Sequence, residues 1–537
     1  MASPDARRRS WWGWGWEDQA VPADQLDALA PVVSEQLGTR VERRDPARVE
    51  DLDLPDPGVS PPTALADRCS DEPRDRALHA YGRSFRDVVR AFHGDVAHPP
   101  DLVVRPRDEA DLVAVLDWCH GARIAAIPYG AGSSVVGGVE TGGEWRSGYA
   151  GVASIDMTAM DRVLEIDRTS RAARIQAGAV GPVLEDQLRP HGLTLRHYPQ
   201  SFEFSTLGGW IATRSGGHYA TNRTHIEDFV EATRTVTPTG TMASRRLPAS
   251  GAGPSPDRLV AGSEGILGVI TEAWMRLQDR PRHKATASIR FERWPDGVAA
   301  CRSLGQSGLD PTNCRLLDPG EAAANAGGDG GAVLVLGFES AHHPVDADVD
   351  AALEVCADHG GTVVGEVRRS TERTGGEGAA DRWRSSFLRA PYLRDGMVAL
   401  GCIAETFETA VTWDRFDELH DAVVTDATDA LRRICGGGTV TCRFTHVYPD
   451  GAAPYFTVLA PSRHGDQLAQ WDEVKAAAGE AILSAGGTIT HHHAVGRDHR
   501  RWYDRQRPDP FAAALVGAKR ALDPACILNP GVLVDPA

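Results

Sequence analysis

Three polar, glycine-rich loops set among short apolar runs constrain this chain more than any other feature. They are "PYGAGSSVVGGVE" (128–140), "PQSFEFSTLGGWIATRSGG" (199–217) and "GSEGILGVIT" (262–271). Glycine lets a backbone approach a ligand closely and small hydroxyl residues add donors, so loops of this composition suit a pyrophosphate. Three within roughly 140 residues exceed what turns alone require. The first follows a strand-like run, "IAAIPYG" (124–130), which raises a nicotinamide fingerprint of the GxGxxG kind. Gly130 and Gly132 occupy its first two glycine positions, but Val135 stands at the third. No helix follows either, because Val135, Val136, Gly137 and Gly138 read as loop. A Rossmann dinucleotide unit therefore fails on residue and on context.

Around these loops the pattern alternates. "DLVVRP" (101–106) reads as a strand, "DEADLVAVLDWCHGA" (108–122) as a helix with an acidic start, and "GVASID" (151–156), "VLEID" (163–167) and "AARIQAGA" (172–179) as strands. A helix follows at 181–192. At 537 residues the chain exceeds one hydrophobic core, and the texture divides it into an N-terminal helical extension (1–97), a loop-bearing domain (98–280), a second α+β domain (281–496) and a C-terminal helical segment (497–537). The glycine-rich stretches at 325–331 and 374–379 read as turns, not ligand loops.

A net charge of −17 opposes phosphate backbones and anionic lipid surfaces, so nucleic acid is excluded as a partner and any anionic substrate needs a local arginine cluster. Nine scattered cysteines without a CxxC argue against a disulfide framework and a zinc site, and fit a reducing cytoplasm. The arginines of "RRRSWWGWGW" precede no apolar signal region, no run approaches the roughly 18 apolar residues of a membrane span, and "LVDPA" is not a peroxisomal address. The expectation is a cytoplasmic protein with at most peripheral membrane contact.

The run "GTITHHHAVGRD" (487–498) holds His491, His492 and His493. On a strand consecutive side chains point to opposite faces, so at most His491 and His493 share one, and a metal site needs further partners. A polar strand end and an active-site wall are the other two readings; no metal is expected.

The order and wording of the three loops resemble the FAD-binding domain of the vanillyl-alcohol-oxidase/p-cresol-methylhydroxylase superfamily. Within it the chain is most similar to the alkyldihydroxyacetonephosphate synthase family, flavoenzymes that make the ether bond of ether lipids. The likeness includes "WWGWG", the run 201–230, "VTPTG" (236–240), "CRLLD" (314–318), "ETFETAVTWD" (405–414), "CRFTHVYPDGAAPYFTV" (442–458) and "GGTITHHHAVG" (486–496). It implies an α+β fold: a two-subdomain FAD-binding domain, an α+β cap, and helical segments at both ends. By the same resemblance FAD is bound without a covalent tether. Its site would be lined by Pro128, Tyr129, Gly130, Ala131, Gly132, Ser133, Ser134, Val135 and Gly138 from the first loop. The second would add Gln200, Ser201, Phe204, Ser205, Thr206, Gly208, Gly209, Thr213, Ser215 and Gly216, and the third Glu264, Gly265, Gly268 and Ile270. Gln200 departs from the family, which has an acidic residue there.

The resemblance further places His491, His492, His493, His197 and Tyr455 in the catalytic set and Arg315 and Arg443 in an anion clamp, where guanidinium geometry suits a phosphate. Tyr455 in acid/base work requires its pKa to be drawn down by positive charge, and a core tyrosine is its plain alternative, as surface arginines are for the clamp. The implied reaction exchanges the acyl group of an acyl dihydroxyacetone phosphate for a long-chain alcohol: Tyr455 or a histidine removes a proton, and flavin N(5) captures the carbon as the fatty acid leaves. The alternative is an FAD-linked oxidoreductase acting on a D-2-hydroxy acid. A synthase needs an apolar tunnel and the oxidoreductase a small pocket. Relatives are often homodimers.

Overall fold

The computed structural model describes residues 7–325, 330–370 and 379–535. The two glycine-rich stretches expected to be turns, 325–331 and 374–379, lie largely outside them.

The first sheet has the strand order Cys69–Ser70, Leu102–Val104, Gly151–Asp156, Ile124–Tyr129, with the last three parallel. Its crossover helix, Glu109–Ala122, starts where the Asp108 side chain accepts from the Asp111 N–H and ends at Arg123 in the left-handed region (φ 53°). Leu112, Val115 and Leu116 of that helix pack on Val104, Ala126 and Ile155, and Ile527 and Leu528 from the C-terminal segment join the same core. That segment thus returns to the first subdomain, where Leu528 bridges to Ala126. The N-terminal residues are woven in as well: Cys69–Ser70 pairs with Leu102–Val104, and Trp14 packs on Phe204.

A second, antiparallel sheet runs Val163–Asp167, Ala172–Gln176, Val269–Arg276, Val230–Thr237, Gly240–Ala243. Helices Gly181–Leu188 and Leu207–Thr213 cover it through Leu184, Leu188, Trp210 and Ile211. Residues of all three glycine-rich loops line one cavity.

The cap is a nine-stranded antiparallel sheet centred on Ala332–Ser340, Asn313–Leu317, Thr439–Val447, Gly451–Pro461 and Cys402–Glu408. Helices Trp294–Gln306, Asp346–Asp358, Phe416–Cys435 and Gln467–Ser484 bury one face of it. Strand periodicity divides its residues cleanly. Cys314, Leu316, Cys442, Phe444, Phe456 and Ala460 enter the core, whereas Arg315, Arg443, Thr445, Tyr455, Thr457 and Leu459 line a cavity on the other face. Among the described residues no helix is long and apolar enough to cross a membrane.

Candidate active site

The cavity between the loops and the cap sheet encloses about 830 Å³, within the range of cofactor and substrate sites. At one end stand residues 128–136 with Gly138, the 199–209 loop, Thr213, Ser215, Gly216, Glu264, Gly265, Gly268 and Ile270. The N–H groups of residues 130–137 make no hydrogen bond to protein among the described residues, although Ala131, Gly132, Val136 and Gly137 are buried. Such groups require an acceptor, and a diphosphate supplies several. Asn529 adds a buried Oδ1 without a protein partner, while its Nδ2 donates to Gly138 O (3.0 Å) and Glu264 O (2.7 Å). Glu264 accepts from the N–H groups of Val495 (2.9 Å) and Gly496 (2.8 Å), and burial pushes its carboxyl up to about 7 against those donors.

The far wall is set by strand register. Glu408, Tyr455 and Arg443 lie side by side on three neighbouring strands and so share a face. The Arg443 guanidinium sits 4.2 Å from the Tyr455 ring centroid and donates to both oxygens of Glu321 at 3.1 Å. Arg315 lines the same wall, its pKa lowered to about 10 by burial and by Arg443. A bulge between Phe444 and His446 turns His446, an even-numbered residue, onto the cavity side.

The histidine run is a bend, not a strand, which corrects the alternation expected of it. Glu408 is the cause. Its buried carboxylate accepts from the Thr490 hydroxyl (2.6 Å) and from the backbone N–H groups of His491 (2.5 Å), His492 (3.1 Å) and His493 (2.9 Å). Burial acts to raise this carboxyl, but the histidines and Thr490 outweigh it and hold it well below the usual carboxylate range. The chain therefore wraps around one anion, and successive rings fan outward. His492 and His493 flank Tyr455, with ring centroids 6.3 and 5.6 Å from it. His491 lies behind them.

Burial keeps these rings neutral: His493 is lowered to about 3, His491 and His446 fall well below the ordinary value, and His492 is lowered. Tyr455 departs from expectation in the opposite direction. Arg443 does pull its pKa down, but burial is larger and the phenol is raised, so Tyr455 stays protonated and is able to donate.

The structure brings Arg315, Arg443, Tyr455, His492 and His493 to the cavity, along with every loop residue expected there except Phe204, which supports Trp14 from behind. His197 is not on the wall either. It is packed behind Gly217 against Trp210, with Nε2 3.4 Å from the Ser215 hydroxyl. Sequence reasoning missed Glu408, Glu321, His446 and Asn529, and also Trp14, which lines the cavity from the N-terminal arm. His446, His491 and His492 offer three nitrogens within 4.8 Å of one another. Nitrogens of these rings contact one another and Thr445, Gly217 and Tyr448.

With the geometry in place, similarity to known proteins becomes informative. The family model described as "FAD binding domain" matches residues 100–244, and "FAD linked oxidases, C-terminal domain" matches 280–533. An alkyldihydroxyacetonephosphate synthase from Dictyostelium discoideum is 32% identical over 486 residues, covering 88% of this chain and 79% of that protein. The chain belongs to the alkyldihydroxyacetonephosphate synthase family. A solved structure of an alkyldihydroxyacetonephosphate synthase superposes with a TM-score of 0.80 at 26% identity, covering 97% of this chain and 98% of that one. p-Cresol methylhydroxylase, at 15% identity and a TM-score of 0.67 over 96% of this chain and 98% of its own, shares the fold.

FAD is thus the cofactor that this synthase-family chain is built to hold, and the unpaired loop N–H groups and Asn529 fit it. Gly132 tests the fit: its φ is 74°, and an added Cβ would stand 1.9 Å from the Tyr129 hydroxyl. Gly132→Ala must move the loop and strain its backbone by about 1–2 kcal/mol. The expected result is at least a roughly tenfold weaker FAD affinity by fluorescence titration; unchanged affinity would place the diphosphate elsewhere.

Proposed function

We propose that this protein, with FAD bound without a covalent tether, exchanges the acyl group of an acyl dihydroxyacetone phosphate for a long-chain alcohol. The observation that carries this reading is the continuity of two unlike regions in one cavity. The polar wall of Arg315, Arg443, Tyr455, His492 and His493 runs into an apolar arm of Leu29 and Val33 from helix Ala23–Leu37, Leu393 and Met397 from helix Ala379–Ala399, and Leu459. A small hydroxy acid has no use for such an arm, whereas alkyl and acyl chains gain about 0.8 kcal/mol per buried CH₂. This favours the synthase over the oxidoreductase alternative.

Arg315 and Arg443 hold the phosphate by charge-assisted hydrogen bonds, with Glu321 fixing the Arg443 fork. A neutral histidine at the wall, His492 or His493, takes the proton from the carbon that bears the ester oxygen. Tyr455, held protonated, donates toward the departing carboxylate. Bound flavin supplies an electron sink beside that carbon, so carboxylate leaves and alkoxide oxygen enters without net oxidation.

The test is to give FAD-loaded protein palmitoyl dihydroxyacetone phosphate and isotope-labelled hexadecanol, and to look for labelled alkyl ether by mass spectrometry. Labelled ether is expected, falling about 10²- to 10⁴-fold in His493→Ala and Tyr455→Phe. No ether from fully loaded wild type would sink the reading and favour hydroxy-acid oxidation.

A further inference from the structure

A base at the cavity wall can exchange the proton it removes with solvent only through connected polar groups, and the contacts behind His492 supply such a route. His492 Nδ1 lies 3.0 Å from His491 Nδ1, and His491 Nε2 lies 2.6 Å from the Tyr448 hydroxyl. Tyr448 in turn stands 3.3 Å from His225 Nε2 and 3.0 Å from the Thr224 hydroxyl. His225 is half-buried, and its Nδ1 donates to the Arg214 carbonyl at 2.8 Å, which turns Nε2 toward Tyr448 and toward His491 Nε2 at 3.3 Å. At the other end, Nε2 of His492 has no protein partner among the described residues, on a ring that lines the cavity. We propose that His491, Tyr448 and His225 form a proton relay joining His492 at the cavity wall to solvent.

The relay rests on the base assignment above, and its protons balance. Before transfer His492 Nδ1–H donates to His491, His491 Nε2–H donates to Tyr448, and the Tyr448 hydroxyl donates to His225. When His492 Nε2 takes the substrate proton, each link passes one proton outward and His225 releases one to water. Afterwards every ring is again neutral, with Tyr448 donating to His491 and His491 to His492. Return of one proton inward restores the starting arrangement.

The experiment runs the labelled-alcohol reaction in D₂O with FAD-loaded protein, reading both rate and deuterium at the carbon of the new ether bond. Wild type is expected to incorporate deuterium in nearly every product molecule. Tyr448→Phe keeps the ring and removes the hydroxyl link, leaving only the direct 3.3 Å contact between His491 Nε2 and His225 Nε2: it should slow ether formation about tenfold and leave most products with protium, because return of the removed proton outpaces the weakened route. His225→Ala should behave likewise and be restored by added imidazole, a response that mere loss of packing would not give; it decides alone if Tyr448→Phe fails to retain flavin. Ether with wild-type deuterium content from both variants, or protium-only ether from wild type, overturns the relay and leaves the synthase reading standing. No ether from wild type overturns both.

Discussion

Glu408→Gln is expected to lower ether formation at least a hundredfold and to cost about 3 kcal/mol of stability. The amide matches the carboxylate in shape but presents an NH₂ group to a site where the Thr490 hydroxyl and three successive backbone N–H groups already donate. At least one buried donor loses its acceptor, and the bend that aims His492 and His493 at Tyr455 relaxes. Urea unfolding and single-turnover rates of the flavin-loaded variant measure the two effects separately. The pH dependence has a defined sign. Because the folded carboxyl is depressed, its contribution is complete above the ordinary glutamate value near 4.3 and is lost only as pH falls toward the lower folded value. The gap between wild type and variant therefore persists at pH 5. A Glu408→Gln protein with wild-type turnover would mean that the histidine bend does not depend on this anion.

Mild acid is expected to destabilise the whole protein. His197, His446 and His491 are held well below the usual histidine range, His218 is lowered to about 4, and His493 and His499 to about 3, all chiefly by burial. Below the unfolded value near 6.5 the unfolded chain binds protons that the folded one refuses, so stability falls with pH. Between pH 6.5 and 5 each such ring withdraws stability as its unfolded counterpart takes up a proton, and six act together against a native state held by only about 5–15 kcal/mol. Glu264 and Asp498, both pushed up to about 7 by burial, oppose this by taking protons in the folded state, but they are two against six. The thermal midpoint of the flavin-loaded protein should drop by about 5 °C from pH 7 to pH 5. An unmoved midpoint would show that these rings protonate in place.

What the sequence made legible was local. The helix Glu109–Ala122 announces itself by Asp108 and its apolar spacing, and the strands Gly151–Asp156 and Val163–Asp167 follow from their composition and flanks. Val135 correctly removed a Rossmann unit. The cavity residues of the loops, and Arg443 and Tyr455, were accessible because they lie in contiguous motifs. The histidine bend was not, since the residue that shapes it lies 83 positions away and leaves no periodic trace near the run. His446 was hidden by a bulge, which breaks the period that strand reading depends on. Tyr455's proton affinity depends on how deeply the cap buries it against what Arg443 returns, a balance fixed only by the assembled fold.

The clasp made by Asn529 gives the flavin site a place in time. Its amide joins the first and third glycine loops, and Leu528 beside it pairs with Ala126. Synthesis proceeds from the N-terminus at about 5–20 residues per second, so the three glycine loops are made well before the residue that ties them, and before Ile527 and Leu528 that finish the first subdomain's core. Cofactor capture in its final form consequently waits for residue 529, and a nascent protein stalled within the cap would hold flavin loosely.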